Sequence, residues 1–185
     1  MRRFTLILIS MFALLSHANA QNDDVVYFYG VDFSEVKVIA ASESTQDFAK
    51  AFSGINVLLI NEAEKYDFSR VLNKTVKVYA DIMVEKSLSN DYSSMKVYRY
   101  EEHDIDVADK IKSYKLPQES GLGFIIIAQY LDKNKATASH YVVLFDIFTR
   151  EIISKNKLMS EAGGFGLRNY WARTVYNLSL RWSLF

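Results

Sequence analysis

A nearly uninterrupted apolar stretch in the second half of the chain limits its fold more than any other segment. It runs from Gly123 to Leu131 and includes Phe124, Ile125, Ile126, Ile127 and Ala128. A strand with one face in water alternates apolar and polar residues, whereas a run without alternation is typical of a strand buried on both faces. We therefore expect this stretch to form a central strand covered on both faces.

Two more strands are predicted directly after the central one. Lys133-Asn134-Lys135 interrupts the apolar run, Tyr141 to Phe148 resumes it, and Glu151 to Met159 follows the turn at Thr149-Arg150. Consecutive strands joined by such short connections form an antiparallel meander.

The first half of the chain contains further strand patterns. Val25 to Ile39 is rich in β-branched and aromatic residues, and its apolar phase shifts at Ser34-Glu35. Such a shift predicts two short strands or one strand with a bulge. Thr75 to Lys86 alternates apolar and polar residues, which predicts a half-exposed strand. Lys96 to Tyr100 is a weaker candidate for another strand.

Three helices are predicted from apolar residues spaced three or four apart. The first begins at Ser44 with Asp47 three residues later, a weaker form of the capping box, and carries Phe48, Phe52, Ile55, Leu59, Ala63 and Tyr66. A short one is capped by Asp104 or Asp106, buries Val107, Ile111 and Tyr114, and ends at Leu116-Pro117. The last buries Trp171, Val175, Leu178 and Trp182.

The element order β-α-β-α-β-β-β-α, without repeats or linkers, predicts one α+β domain. We expect a single mixed, largely antiparallel sheet with the helices packed on one face.

The first twenty residues have the pattern of a secretory signal peptide. Arg2 and Arg3 precede an apolar segment of 12 residues, Phe4 to Leu15, and Ala18-Asn19-Ala20 supplies the small residues that signal peptidase recognises. The apolar segment is shorter than the roughly 20 residues of a membrane-spanning helix. We expect cleavage between Ala20 and Gln21, and a periplasmic or secreted domain over residues 21–185 without a transmembrane anchor.

The composition narrows the function classes. The chain has no cysteine, so we expect neither disulfides nor a lipidated cysteine. Loss of residues 1–20 leaves 20 basic and 22 acidic residues, a net charge of −2, with both signs interspersed. Nucleic-acid binding is therefore disfavoured.

The stretch Tyr141-Val142-Val143-Leu144-Phe145-Asp146-Ile147-Phe148-Thr149-Arg150-Glu151-Ile152-Ile153 resembles the strand-turn-strand of bacterial envelope domains of the TolB amino-terminal or curli-transporter-like type. In those domains a strand ending in Asp is followed by Thr-Gly-Glu and a second apolar strand. Here the turn is Thr-Arg-Glu, the lipidated cysteine of many such proteins is missing, and only about 30 residues carry the resemblance. It implies a role in envelope assembly or as a scaffold.

A glycine-rich loop before the last helix is a candidate anion site. It consists of Gly163, Gly164 and Gly166, followed by Arg168 and Asn169. Backbone N–H groups at a helix start, together with an arginine, can hold a phosphate or carboxylate. The loop lacks the Lys-Ser/Thr of a P-loop and the spacing of a dinucleotide fingerprint. Close packing of the helix on the sheet explains the glycines equally well.

Five tyrosines on predicted strands form a candidate surface for an envelope protein, a peptide or a glycan: Tyr27, Tyr29, Tyr79, Tyr98 and Tyr100. Tyrosine presents an apolar ring and a polar hydroxyl, which suits binding surfaces. The alternative is cross-strand pairing that merely covers the sheet.

No constellation of residues has the spacing of a catalytic or metal site. Glu101-Glu102-His103-Asp104 contains metal-ligand types on adjacent residues, which point in different directions, and no metal or cofactor is predicted. Ser139, His140 and Asp146 cannot form a triad along one strand, because six residues span roughly 20 Å. The sequence favours a non-catalytic binding or scaffold domain of unknown ligand. The alternative is a small hydrolase-type enzyme with a site assembled from distant residues.

Overall fold

The structure, a computed structural model, describes residues 24–101 and 103–180. These residues form a seven-stranded sheet and five helices. The strands are β1 (Val25–Asp32), β2 (Lys37–Ile39), β3 (Thr75–Val78), β4 (Lys96–Val97), β5 (Leu122–Asp132), β6 (Thr137–Asp146) and β7 (Ile152–Glu161). The helices are α1 (Thr45–Asn61), α2 (Ser69–Leu72), α3 (Asp81–Ser89), α4 (Val107–Ser113) and α5 (Leu167–Ser179).

The prediction of a largely antiparallel sheet is wrong. β1 and β2 both pair in parallel with one edge of β5, β3 pairs in parallel with β1, and β4 pairs in parallel with β2. Antiparallel pairing is confined to β5 with β6 and β6 with β7. These three strands form the predicted meander on the other edge of β5. Helices connect the first strands, and a strand that returns through a helical crossover enters the sheet in the same direction. The arrangement is therefore α/β-like.

The prediction that helices pack on one face is also wrong. On one face α1, α2 and α5 cover a core that includes Phe28, Phe52, Phe124 and Trp171. On the other face residues of α3 and α4 join a second core, composed of Tyr29, Met83, Ile105, Val107, Ile111, Tyr114, Ile125, Ile127, Tyr141, Val143, Phe145 and Ile147. β5 lies between these two cores and is buried along nearly its whole length, as its apolar sequence predicts.

Several local predictions are confirmed. Val25 to Ile39 forms two strands separated at residues 33–36, which explains the phase shift. Ser44 caps α1, its hydroxyl accepting from the Asp47 backbone N–H while the Asp47 carboxylate accepts from the Ser44 backbone. Asp106, of the two candidates, caps α4 by accepting from the Asp109 backbone N–H.

The predicted strand from Thr75 to Lys86 is wrong beyond Val78. β3 ends there, and α3 begins at Asp81. Ala80, Met83 and Ser87 are buried at the helical spacing of three and four residues. α3 begins close to β1, where Gly30 has a φ of +88° and a Cβ would collide with Asn56 and Ala80. Asn56 in turn bonds both the N–H and the carbonyl of Val31, so β1 has a register shift here instead of a regular ladder.

The predicted signal peptide, residues 1–20, and Trp182 lie outside the described residues. Within residues 24–101 and 103–180, no helix combines the length and apolar character needed to cross a bilayer.

Candidate functional site

A groove of about 440 Å³ opens where β2 and β5 end. Ile39 and Tyr130 come from these strand ends, Ser139 from the start of β6, Met159 from β7, and Tyr100 from the segment after β4. Asp132, Lys135, Thr137 and Lys157 complete the lining. The carboxyl ends of parallel strands are where open α/β sheets bind ligands. The topology therefore places this groove at the edge of the sheet best suited to a site.

The groove is largely apolar and its rim is aromatic. The Tyr100 and Tyr130 rings lie 4.5 Å apart between centroids. Tyr100 is 54% exposed and Met159 is 58% exposed, while Tyr98, two residues earlier, is fully exposed. Apolar and aromatic groups gathered at an exposed edge are characteristic of binding surfaces.

A bulge in β5 turns Tyr130 toward the groove. The register with β6 shifts between Ala128 and Tyr130, so that Gln129 is the extra residue. The Gln129 side chain accepts a hydrogen bond from the Ser139 hydroxyl at 3.1 Å and donates to the His103 carbonyl. A bulge re-aims the side chains that follow it. Since this bulge depends on partners 10 and 26 residues away, no local pattern reveals it.

Hydrogen bonds at His103 and Asp104 hold the carboxyl end of the segment that carries Tyr98 and Tyr100 against the sheet. His103 Nε2 lies 3.0 Å from the Glu35 carbonyl oxygen, and the Tyr141 hydroxyl donates to Asp104 at 2.8 Å. Burial, followed by the hydrogen bond to Asp104, raises the pKa of Tyr141 to about 12. The same hydrogen bond lowers the pKa of Asp104. The Tyr141 hydroxyl therefore stays protonated at neutral pH and donates its hydrogen bond to Asp104.

The charged groups of the groove are mainly cationic. Lys135 and Lys157 lie on its lining. The one carboxylate, Asp132, accepts from the backbone N–H groups of Asn134 and Lys135 in the turn between β5 and β6. Its Oδ1 is engaged in that turn and its Oδ2 lies 3.9 Å from Lys135 Nζ, so Asp132 is poorly placed to act on a ligand. With two lysines to one carboxylate, the groove keeps a positive excess that favours an anionic group beside an apolar one.

The five predicted tyrosines do not form a single surface. Tyr29 is buried, with its hydroxyl donating to Gln118 at 2.8 Å. Tyr27 and Tyr79 pack edge to face at 5.6 Å, which is the cross-strand pairing given as the alternative. Tyr98 and Tyr100 lie at the other end of the sheet, and Tyr100 lines the groove.

Four of the five predicted anion-site residues line a second groove of about 570 Å³, between the end of α1 and α5: Gly163, Gly164, Arg168 and Asn169. Lys65 and Arg173 also line it. Gly166 lies at the start of α5 with a φ of +81° and borders a separate depression beside Glu43 and Lys133. The Arg168 Nε donates to Asn169 Oδ1 at 3.1 Å. Anion binding here stays a prediction.

The structure contains a buried ionic cluster around Asp32 that the sequence does not predict. Asp32, at the end of β1, is 1% exposed, and its Oδ2 accepts from the Tyr114 hydroxyl at 2.6 Å. Lys86 Nζ and Lys110 Nζ each lie 3.2 Å from the same oxygen, and Oδ1 accepts from the Ser34 backbone N–H. Burial acts to raise the pKa of Asp32, but the two lysines and these hydrogen bonds outweigh it and lower the pKa to about 2. We call Asp32, Lys86, Lys110 and Tyr114 the Asp32 cluster.

The Asp32 cluster connects β1, α3 and α4, and all its members except Lys86, which is 33% exposed, are buried. Lys110 is 8% exposed and also pairs with Glu35 at 2.8 Å. A buried charge is tolerated when it is paired and hydrogen-bonded, as here. Since the carboxylate is sealed from solvent, the cluster has the character of a structural tie and not of a reactive site.

His140 is fully buried beneath α5. Its Nε2 lies 3.1 Å from Thr174 Oγ1, and the Thr174 hydroxyl donates to the Trp171 carbonyl. The network therefore assigns the proton to Nε2, which donates to Thr174. Nδ1 has no hydrogen-bond partner among the described residues. Burial lowers the pKa of His140 to about 3.

This buried imidazole predicts a specific acid sensitivity. The unfolded chain protonates His140 near its usual pKa of 6.5, whereas the folded protein resists protonation down to about pH 3. The stabilising effect is complete above pH 6.5 and is lost as the pH falls, by up to about 1.4 kcal/mol per pH unit. We expect urea denaturation between about pH 7 and about pH 5, above the range where carboxyl groups titrate, to show this slope.

His140→Gln is the matched variant for that measurement. It should flatten the dependence in this pH interval, even if its stability at pH 7 is lower. Parallel slopes for both proteins would show that His140 is not the group responsible.

The residues considered for a catalytic triad or a metal site do not come together in the structure. Asp146 accepts from the backbone and hydroxyl of Thr149 in the β6–β7 turn, away from His140 under α5. Neither His103 nor His140 lines the grooves above. In the part of the chain that the structure describes, no group of three His, Cys, Asp or Glu side chains could hold a metal ion.

Comparison with protein-family models, with curated proteins and with solved structures finds no match for this chain.

Proposed function

We propose that this protein is an exported, non-catalytic binding domain of the bacterial envelope or the secreted fraction. The groove at the carboxyl ends of β2 and β5 would hold part of a partner protein or peptide. The observation that carries the proposal is the exposed rim formed by Tyr100 and Met159, in which the Tyr100 ring lies 4.5 Å from the buried Tyr130 ring. These residues give apolar contact area at low entropic cost, and Lys135 and Lys157 add a preference for a negatively charged neighbour.

Three placements support a binding function over catalysis. His140 is buried and neutral at physiological pH, the Asp32 carboxylate is sealed inside the ionic cluster, and Asp132 is held in a turn. General acid-base catalysis needs a titratable group within hydrogen-bond reach of a bound substrate. Among the described residues the groove has no histidine on its lining, and its tyrosines and lysines stand beside an apolar surface without a free carboxylate.

The exported location is part of the same proposal. It rests on the signal-peptide pattern of residues 1–20, and the resemblance of Tyr141 to Ile153 to TolB amino-terminal and curli-transporter-like envelope domains points the same way. In such a setting the partner would be another envelope protein, and the domain would act in assembly or as a scaffold.

The proposal predicts that the double variant Tyr98→Ala/Tyr100→Ala loses its partner. We expect pull-down from an envelope extract to recover the partner at least tenfold less well than with the original protein, because Tyr100 lines the groove and Tyr98 lies fully exposed two residues before it. Both side chains are exposed, so the melting temperature should change little.

Phe148→Ala is the matched control. Phe148 is 78% exposed but lies at the β6–β7 turn, outside the groove. Its removal should leave partner recovery unchanged. Equal recovery with the original protein, the double variant and the control would refute the groove as the binding surface.

A further inference from the structure

β7 forms a long edge of the described sheet. It has ten residues and pairs with β6 alone, whereas β3 and β4 at the opposite edge have four and two. A strand at an edge presents a row of backbone N–H and C=O groups that can pair with another chain. Such an edge is the surface used when an extended peptide adds itself to a sheet as a new strand.

Lys155, Lys157 and Met159 alternate along β7 on the face away from α5, and Ile153 precedes them as the extra residue where the register with β6 shifts. Ile153 and Met159 are 55% and 58% exposed, and Lys155 and Lys157 stand between them. Both lysine ammonium groups lie 5.7 Å from the centre of the Tyr141 ring. Neither lysine has a carboxylate of the described residues within salt-bridge distance, although Asp104 acts on both from farther away. The edge therefore carries two positive side chains between the apolar side chains of Ile153 and Met159, and it ends at the exposed Glu161.

We propose that β7 takes an extended acidic peptide as an additional strand. The peptide would carry two acidic residues separated by one position, with an apolar residue two positions outside each of them. The acidic side chains would lie opposite Lys155 and Lys157, and the apolar ones opposite Ile153 and Met159, since residues facing each other across neighbouring strands interact directly. The pattern reads the same in both directions, so it applies to parallel and antiparallel addition.

The edge and the groove are continuous through Met159 and Lys157, which belong to both. An apolar peptide residue opposite Met159 would reach the groove beside Tyr100. This inference rests on the proposed binding function and specifies its partner: an acidic segment in extended conformation.

A second copy of this chain is a poorer occupant. If two β7 strands paired antiparallel about Asn156, residues 152–160 would overlap and Lys155 of each copy would face Lys157 of the other. Pairing about Leu158 would place Lys155 opposite Glu161, but it would overlap residues 155–161 alone. Like charges directly opposite each other are destabilising. An acidic peptide removes this repulsion.

The test uses fluorescence anisotropy with a labelled peptide of the pattern Val-Thr-Glu-Thr-Glu-Thr-Val and a second peptide with lysine in place of both glutamates. We expect the glutamate peptide to bind the folded protein, with an affinity that falls as salt is added, and the lysine peptide to bind at least tenfold more weakly. The variant Lys155→Glu/Lys157→Glu should reverse this preference. Methylation of the peptide amides that face β7 should abolish binding, while methylation of the outward amides should not.

Absence of binding by the glutamate peptide, or equal affinities of both peptides for both proteins, would overturn the inference. A concentration-dependent dimer that the peptide does not dissociate would also overturn it and would assign the edge to a second copy. The result is distinguishable from failure of the proposed function. If the Tyr98→Ala/Tyr100→Ala variant loses its partner but the peptides fail, the groove binds something other than an acidic strand. If the peptides bind but that variant keeps its partner, the groove is wrong and the edge stands.

Discussion

Replacing Trp171 with alanine should lower the free energy of unfolding by about 3–5 kcal/mol. Trp171 is fully buried in the core beneath α5, together with Val175 and Leu178. Its removal leaves a large cavity between this helix and the sheet. For a domain of this size such a loss lowers the melting temperature by about 6–20 °C, which circular dichroism and calorimetry would detect.

Trp171→Phe is the matched control for this experiment. The indole Nε1 has no hydrogen-bond partner among the described residues, so phenylalanine keeps much of the packing and removes an unsatisfied donor. We expect a clearly smaller loss than with alanine. A melting temperature of Trp171→Ala within about 2 °C of the original would mean that α5 is not docked as described.

Asp32→Ala should destabilise the protein by a similar amount, about 3–5 kcal/mol. The variant leaves the Tyr114 hydroxyl buried without its acceptor and removes the ion pair of Lys86. Buried Lys110 keeps Glu35 and the Ser34 hydroxyl but loses its buried carboxylate. Breaking one side of a buried ion pair is costly because the remaining charge is desolvated and uncompensated. Since the Asp32 cluster connects β1, α3 and α4, we expect the loss in urea denaturation at neutral pH.

Glu43→Ala provides the comparison. Glu43 forms an even closer ion pair with Lys133, at 2.6 Å against 3.2 Å for Asp32, but both side chains are more than a quarter exposed. Partly solvated pairs contribute about 1 kcal/mol or less. If Asp32→Ala costs no more than Glu43→Ala, the Asp32 cluster does not hold the helices to the sheet.

The apolar run in β5 predicts the burial of that strand on both faces but not the placement of the helices. Ile125 and Ile127 point to one face and Phe124 and Ile126 to the other, so the run itself requires cover on both sides. The prediction of helices on one face alone fails because no local signal says on which side of a sheet a helix packs. The short helix with Val107 and Ile111 supplies the missing layer.

The sequence alone does not show that the predicted strand from Thr75 to Lys86 gives way to a helix. The alternation of Thr75 to Lys86 fits a strand, yet Ala80, Met83 and Ser87 also fit a helix, and contact with β1 at Gly30 favours the helix. Without that contact neither pattern is decisive.

The proposed binding surface is only partly predictable from the sequence. Tyr29 and Tyr100 look alike in sequence, but one lies in the interior of the sheet and the other at its edge. Tyr130 enters the groove because of the Gln129 bulge, and Met159 because of the register of β7. These placements, like those of Asp32 with Lys110 and His140 with Thr174, depend on residues far apart in the chain.

Site-specific photo-cross-linking in a bacterium that carries the gene tests the central claim most directly. A photoreactive phenylalanine analogue would replace Tyr100 in one strain and Phe148 in another. If the groove binds a partner, position 100 should give a discrete cross-linked adduct under ultraviolet light and position 148 should give none. Adducts of equal yield at both positions, or no adduct at position 100, would contradict a binding function for the groove.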